Sequence, residues 1–261
     1  MEVIVAKNAE ELGSIVANVI VQLLGRMERP TLGLATGSSP QPVYDELVRR
    51  HRAGAISFAN TTACLLDEYL DLPPEHPQLY RTFIRRVFVD QIDLPLEQLL
   101  GPDVSGNQPE TCSARYEAAL KGAGGVDLQV LGIGSDGHIG FNEPSSSLAS
   151  RTRVKTLTRQ TREDNARFFG GEVDAVPKHA VTQGIGTILE ARHLVLVARG
   201  AGKAKAIAQA IEGPLTAMVP ASALQLHPHA TVVIDPEAAS GLQLLDYYEQ
   251  AFRGKPPWEP I

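Results

Sequence analysis

Short apolar runs alternate with helical patterns along this chain, and that alternation limits its fold more than any other feature. The first run, at residues 2–6, is followed by a capping-box pair, Asn8 and Glu11, and by helically spaced apolar residues from Leu12 to Leu23. Further strand patterns occur at 31–35, 61–66, 128–133, 193–198 and 230–235. Helical patterns occur at 43–51, 78–89, 110–120, 161–171, 181–191, 204–212 and 236–252. Such alternation is typical of parallel sheets, because their consecutive strands are joined by helical crossovers.

The predicted fold class is therefore α/β, with an open, mostly parallel, Rossmann-like sheet that carries helices on both faces. With 261 residues, 43% of them hydrophobic, the chain can bury a sizeable core. No linker interrupts the alternation, so we predict a single domain over residues 1–261.

The composition favours a small molecule as the main partner. A formal net charge of -6 argues against a nucleic acid or an anionic membrane surface. No stretch approaches the roughly 20 apolar residues of a membrane span, and the first residues lack a signal-peptide pattern, so we expect a cytoplasmic protein. The two cysteines, Cys64 and Cys112, are too few for a disulfide framework or a metal cage. We predict free thiols and no metal site.

The stretch from Gly132 to Pro144, read as G-I-G-S-D-G-H-I-G-F-N-E-P, places three ionisable side chains directly after a predicted buried strand. Open α/β sheets bind ligands at the carboxyl ends of their strands. There, one of the acids Asp136 and Glu143 can orient the His138 imidazole while the other shifts its proton affinity toward neutrality. His138 would then act as a proton shuttle. The alternative is ordinary turn chemistry with a satisfied histidine.

Two other strand ends carry polar residues. The loop Thr36, Gly37, Ser38, Ser39 precedes a helix, so its N–H groups and the helix dipole favour an anion, although the lysine of a Walker loop is absent. A simple helix cap is the alternative. Asp67, in the string L-D-E-Y, ends another strand, where a carboxylate can be a general base or can cap the next turn.

Cations are concentrated after Ser150, at Arg151, Arg153, Lys155, Arg159, Arg162 and Arg167. Such runs are usually a solvated face. Strand alternation would align Arg151, Arg153 and Lys155, which repel one another unless an anion or an acidic neighbour intervenes. Lys203, in R-G-A-G-K, precedes a predicted helix, where its charge opposes the dipole and an intervening anion would explain its position.

The string GIGSDGHIGFNEPSSSLASRTRVKTLT resembles the signature of the glucosamine-6-phosphate deaminases, in the glucosamine/galactosamine-6-phosphate isomerase family. The resemblance extends to T-G-S-S-P at 36–40, to L-D-E-Y at 66–69 and to the run 162–169, and it weakens beyond Asp235. One departure is Ala35, where many members carry proline. The other is the divergent tail, residues 236–261.

The resemblance implies the conversion of glucosamine 6-phosphate and water to fructose 6-phosphate and ammonia, without a cofactor. It implies that Asp67 is the base at C2 and that His138, oriented by Asp136 and Glu143, helps to open the sugar ring. The substrate phosphate would be held by Thr36, Gly37, Ser38 and Ser39, with Arg167 and Lys203 as cationic partners. Residues 157–180 would form a lid.

For allosteric members, the resemblance further implies a second phosphosugar site between subunits for N-acetylglucosamine 6-phosphate. The matching positions here are Ser146, Arg153 and Lys155. A homo-oligomer is therefore one expectation.

Two other interpretations remain open. A 6-phosphogluconolactonase-like hydrolase shares the D-G-H loop but lacks I-x-F-N-E-P, which this chain has at 139–144. A non-catalytic, sugar-phosphate-binding effector domain of a transcription regulator would need a helix-turn-helix segment, and a first strand at Glu2 leaves no room for one ahead of it.

Overall fold

A seven-stranded parallel sheet forms the centre of the computed structural model, which describes residues 1–105, 109–256, 258–259 and 261. The strands are β1 (Glu2–Val5), β2 (Thr31–Leu34), β3 (Thr62–Leu65), β4 (Asp67–Tyr69), β5 (Leu99–Leu100), β6 (Leu128–Leu131), β7 (Arg153–Thr156), β8 (His179–Thr182), β9 (His193–Ala198) and β10 (Ala230–Ile234). The main sheet has the order β1-β10-β9-β6-β2-β3-β5, and all its neighbours are parallel.

Helices flank this sheet, which confirms the predicted single-domain α/β fold. They are α1 (Ala9–Arg26), α2 (Gln41–Arg52), α3 (Tyr80–Val87), α4 (Pro109–Gly122), α5 (Arg159–Asn165), α6 (Ile185–Ile188), α7 (Ala204–Ile211), α8 (Pro236–Ala239) and α9 (Leu245–Arg253). Within the described residues, none of them combines the length and apolarity needed to cross a membrane.

The central strands are buried along their whole length, as expected for a sheet covered on both faces. The first helix begins where the capping pair predicts, because the Asn8 side chain accepts a hydrogen bond from the Glu11 amide at 2.9 Å. Its Gly13 allows α1 and α2 to approach closely, since a Cβ atom there would lie 2.4 Å from the Pro42 carbonyl oxygen.

A second, three-stranded antiparallel sheet of order β4-β8-β7 stands beside the first. Only Leu66 separates β3 from β4, so the chain passes directly from the main sheet into the small one. A separate apolar cluster accompanies this sheet and consists of Tyr69, Phe141, Leu157, Ala166, Val176 and Ala180, with Tyr80 and Phe169 packed against it. We call it the cap cluster.

Three helix predictions are wrong in detail. Residues 181–191 form the end of β8 and the single-turn α6 instead of one helix, because Val181 and its neighbours pair with β4 and β7. The closing helix predicted at 236–252 is two helices. Asp235 caps α8, and the chain turns at Gly241, which packs close to the Ala204 carbonyl oxygen. The helix predicted at 161–171 ends at Asn165 and continues as a 3-10 turn to Phe168.

Candidate active site

Four neighbouring strands deliver the predicted site residues to one edge of the main sheet. In the order β9-β6-β2, their carboxyl ends lead into the loops that hold Lys203, His138, and Thr36 to Ser39, and β3 leads through Leu66 to Asp67 at the start of β4. Parallel strands bring such loops together although they lie far apart in the sequence.

The loop after β6 brings Asp136, His138 and Glu143 into contact. His138 Nδ1 lies 2.7 Å from Asp136 Oδ1 and 3.6 Å from Glu143 Oε2. The backbone N–H of His138 also donates to Asp136 Oδ1 at 3.1 Å, which fixes the turn. Gly134 is required here, because a Cβ atom at this position would lie 2.3 Å from the imidazole ring.

Both carboxylates act on the His138 proton in the same direction. Burial lowers the pKa of His138, but Asp136 and Glu143 outweigh it and raise that pKa to about 9. At Asp136 the two effects have the opposite signs. Burial raises the pKa of this carboxyl group, but the His138 imidazole outweighs burial and lowers that pKa to about 2. The two carboxylates therefore shift the pKa of His138 upward, away from the value near neutrality that the sequence suggested, and they favour the imidazolium. Ligand atoms of these three residues lie within 4.8 Å of one another, a spacing that can also hold a divalent cation.

Asp67 is a buried carboxylate beside this cluster. It is 6% exposed, and among the described residues it has no hydrogen-bond or ion-pair partner. Burial, reinforced by the neighbouring Glu68 charge and opposed by His138, raises the pKa of Asp67 to about 8. Its Oδ2 lies close to Gly140, where a Cβ atom would be 3.3 Å from it. A buried, unpaired carboxylate of this kind can accept a proton from a bound ligand.

The adjacent acid, Glu68, has a structural role that the sequence left undecided. Its carboxylate accepts the backbone N–H groups of Tyr80 at 2.8 Å and Arg81 at 2.9 Å, at the start of α3. Glu68 therefore caps α3, and the neighbouring Asp67 carboxylate is left unpaired.

Tyr116 and Gln183 help to position the strand that leads to Asp67, although no sequence pattern identified them. The Tyr116 hydroxyl donates to the Leu65 carbonyl oxygen, and Gln183 Nε2 donates to the same atom at 3.1 Å. Both side chains are buried. Together they hold the end of β3, two residues before Asp67.

The loop after β2 leaves its backbone groups available. Gly37 adopts a φ of 112°, which favours glycine, and no backbone hydrogen bond to or from residues 36–39 occurs among the described residues. The free N–H groups lie directly ahead of α2, as an anion site requires.

Cations lie near this edge of the sheet. Lys203 directly precedes α7, as predicted. Burial lowers the pKa of Lys203. The nearby charge of Asp164 opposes this shift, and the charge of Arg167 adds to it. Arg167 is exposed and lies over the Phe168 ring, 4.7 Å from its centroid. Arg199, at the end of β9, is a further cation, and its buried Nε has no hydrogen-bond partner among the described residues.

The segment 157–180 contacts the catalytic loop directly. The backbone N–H of Thr158, the N-cap of α5, donates to Glu143 Oε1 at 3.0 Å. The Ser135 hydroxyl donates to Asp164 Oδ2 at 2.6 Å. Asn165 Nδ2 donates to the Tyr69 hydroxyl at 3.0 Å, which joins α5 to the cap cluster.

Two of the three residues of the predicted second anion site lie on β7. Arg153 and Lys155 share the more buried face of β7, and burial lowers the pKa of both. Ser146 is 2% exposed, and its buried Oγ has no partner among the described residues. Arg151 does not belong to this pair, because it forms ion pairs with Glu117 and Glu190.

A parallel α/β sheet with a cluster of two carboxylates and an imidazole and a loop of free N–H groups at one edge defines an α/β protein whose site suits acid–base chemistry on a small anionic ligand. Among protein families, the one described as glucosamine-6-phosphate isomerases/6-phosphogluconolactonase matches residues 5–234, and the chain belongs to this family.

Individual relatives narrow the comparison. A protein of Beutenbergia cavernae named glucosamine-6-phosphate deaminase is 56% identical over 261 residues, with full coverage of both chains. One of Mycolicibacterium smegmatis with the same name is 55% identical over 262 residues, again with full coverage. These alignments include residues 236–261, which the family match does not. They confirm the resemblance identified from the motifs.

Solved structures give the same order of similarity. A monomeric glucosamine-6-phosphate deaminase superposes with a TM-score of 0.90 at 41% identity, covering 92% of this chain and 100% of that one. A 6-phosphogluconolactonase from Trypanosoma cruzi reaches 0.73 at 22% identity, covering 93% of this chain and 97% of that one. The second likeness is one of fold alone.

Proposed function

We propose that this protein converts glucosamine 6-phosphate and water to fructose 6-phosphate and ammonia. The observation that carries the proposal is that the buried carboxylate of Asp67, the cluster of Asp136, His138 and Glu143, and a loop of free N–H groups lie at one edge of the sheet. The reaction combines an aldose–ketose isomerisation with a deamination that consumes water. Its metabolic role would be in the breakdown of amino sugars, including N-acetylglucosamine.

Ring opening is the first proton transfer. The ring oxygen must gain a proton as its bond to C1 breaks, and the hydroxyl at C1 must lose one. His138 holds a proton at neutral pH because Asp136 and Glu143 stabilise the imidazolium, so it can supply the first and recover the second.

Isomerisation then needs a base at C2. Asp67 in its ionised form would take the C2 proton while the C1 carbonyl oxygen gains one from His138, giving an enolamine, and Asp67 would then return its proton to C1. The C2 imine that results adds water and releases ammonia, leaving the ketose. Each step is a proton transfer or a hydration, which carboxylates and an imidazole can assist without a cofactor.

Phosphate binding would fix the sugar across these groups. The loop from Thr36 to Ser39 supplies amides and hydroxyls, and Arg167 and Lys203 supply positive charge. Anchoring the distal phosphate would hold C1 and C2 near His138 and Asp67, which lie at the adjacent strand ends.

The direct test is ammonia release from glucosamine 6-phosphate, with fructose 6-phosphate quantified in the same reaction. We expect the two products in equal amounts, and little turnover of glucosamine without its phosphate. Hydrolysis of 6-phosphogluconolactone with no ammonia from the amino sugar would replace the proposal by the lactonase alternative. Phosphosugar binding without either reaction would favour the effector domain.

Regulation by a second phosphosugar is a further part of the proposal. Ser146, Arg153 and Lys155 would bind N-acetylglucosamine 6-phosphate between subunits of a homo-oligomer. The buried, unpartnered Ser146 hydroxyl and the two neighbouring cations support it. Substrate saturation with and without this effector tests it, together with the variant Arg153→Ala/Lys155→Ala. If the wild type gives a hyperbolic saturation curve that does not change when the effector is added, the proposed regulation is wrong.

We also propose that the reaction takes place in the cytoplasm, because a sugar phosphate dianion does not cross a lipid bilayer unaided. Activity recovered from the membrane or extracellular fraction would contradict this.

A further inference from the structure

Ala35 marks the point where β2 leaves the main sheet. Leu34 is the last residue of β2 that pairs with β3, opposite Leu65. Ala35 is 2% exposed, so its N–H and C=O groups are out of reach of water and need partners inside the protein.

A single side chain supplies both partners. The backbone N–H of Ala35 donates to the Tyr44 hydroxyl oxygen at 3.0 Å, and that hydroxyl donates to the Ala35 carbonyl oxygen at 2.7 Å. Tyr44 is fully buried, and its ring stacks on Phe88 with centroids 5.0 Å apart. Burial raises the pKa of Tyr44 well above its usual value, so the hydroxyl keeps its proton at every working pH.

Tyr44 lies in the first turn of α2, on the far side of the anion-binding loop from Ala35. Its hydroxyl therefore ties the two ends of that loop to each other. Residues 36–39 have no backbone hydrogen bonds of their own among the described residues, so apart from the Thr36 side chain, which interacts with the Tyr80 hydroxyl, the loop is held through its ends.

We propose that Tyr44 is a positioning residue for the anion site, whose hydroxyl holds the strand end at Ala35 so that the loop from Thr36 to Ser39 presents its N–H groups to a phosphate. This inference rests on the proposed function for the identity of the anion. Without the hydroxyl, two buried backbone groups of Ala35 lose their partner, and the strand end shifts to satisfy them. The loop moves with it.

Tyr116→Phe provides a matched control for Tyr44→Phe. Tyr116 is also a buried tyrosine whose hydroxyl donates to a strand-end carbonyl, but its strand leads to Asp67 and not to the loop. Both variants remove one oxygen from a buried tyrosine, so a general loss of stability would affect both. Only Tyr44→Phe should weaken the binding of phosphate.

The experiment measures the inhibition constant of inorganic phosphate, together with KM and kcat for glucosamine 6-phosphate, well below the unfolding temperature. For Tyr44→Phe we expect the phosphate constant and KM to rise about 5- to 10-fold, with kcat within about 2-fold. For Tyr116→Phe we expect a phosphate constant within about 2-fold of the wild type. Equal increases in both variants, or no increase in Tyr44→Phe, would overturn the proposal.

A rescue variant keeps the test decisive if Tyr44→Phe folds poorly. Proline has no N–H to leave unpaired and fixes φ, so Ala35→Pro in the Tyr44→Phe background should recover part of the lost phosphate affinity. A double variant that folds stably yet binds phosphate no better than Tyr44→Phe would count against the mechanism. Calorimetry of phosphate binding separates the two proposals, because it works even if the wild type releases no ammonia.

Discussion

At the scale of single residues, Asp67 combines a cost in stability with a use in chemistry. A carboxyl group whose pKa is raised in the folded state stabilises the fold fully only below its unfolded pKa, near 4. That contribution is lost as the pH rises through about 8, the pKa of Asp67 in the folded protein. At neutral pH the protein therefore keeps a partly ionised, buried acid that its fold alone would not favour.

We predict that Asp67→Asn removes at least about 99% of turnover, because an amide cannot accept the C2 proton. The same change should raise the free energy of unfolding by about 0.5–2 kcal/mol at pH 8 and by less at pH 5. Ammonia assays and thermal melts at the two pH values check both parts. Near wild-type turnover would remove Asp67 from the role of base, whatever the melts show.

The pH profile of kcat/KM is a second prediction at this scale. In the proposed mechanism Asp67 acts ionised and His138 acts protonated, so kcat/KM should rise through a pKa of about 8 and fall through one of about 9. The optimum is then alkaline and narrow. His138→Gln should lose most activity together with the falling limb. An optimum at or below pH 7 would contradict this pairing of roles.

The residues of the candidate site were largely predictable from the sequence, but the role of each residue was not. The types and spacing of Asp136, His138 and Glu143 predicted a proton-transfer cluster, and the structure brings the three together. The residues alone left open whether Asp67 is a base or a cap, because that choice depends on where the start of α3 lies, and it is Glu68 that accepts the N–H groups there. The direction of the His138 pKa also depends on three-dimensional distances.

At the scale of elements, helix packing in this protein depends on one missing side chain. We predict that Gly13→Ala lowers the free energy of unfolding by about 1–3 kcal/mol, because the new methyl group would collide with the Pro42 backbone. Gly25→Ala is the matched control in the same helix, where a Cβ atom meets nothing within 4 Å. It should stabilise by up to about 1 kcal/mol through helix propensity. Denaturant unfolding of both variants checks the pair, and equal effects would contradict the packing argument.

Local pattern predicted the elements that pack on the main sheet and missed those of the small sheet. The strands at 31–35 and 193–198 are continuous apolar runs, and the structure has strands there. In contrast, Val181 sits in a four-residue strand whose partners are more than 20 positions away in the sequence, so its neighbours in the chain say little about it. Short antiparallel strands depend on such distant pairing.

At the scale of the whole molecule, the anion site exists only because the sheet joins distant segments. Residues 36–39 follow β2, Arg167 follows α5, and Lys203 follows β9. The order of the strands in the sheet was not predictable from the motifs, although the location of the candidate site residues at the carboxyl edge was.

We predict that Lys203→Ala weakens binding of glucosamine 6-phosphate by about 1.5–3 kcal/mol, because it removes a half-buried charge-assisted contact. Lys205→Ala, two residues on and exposed, should change binding by less than about 0.5 kcal/mol. Calorimetry with each variant checks the difference. If both lysines contribute equally, the charge acts at long range and Lys203 does not contact the phosphate.

The cap cluster and the main core differ in size, so the two regions of the molecule should differ in local stability. Residues 157–180 draw their apolar contacts from this small cluster, while the sheet draws on the large core. Heat can therefore loosen the cap while the sheet stays intact, since regions with fewer buried contacts open at a lower free-energy cost. Glu143 would then lose its bond to Thr158 before the chain unfolds. The protein should lose its catalytic competence, reversibly on cooling, at a temperature below the one at which it melts.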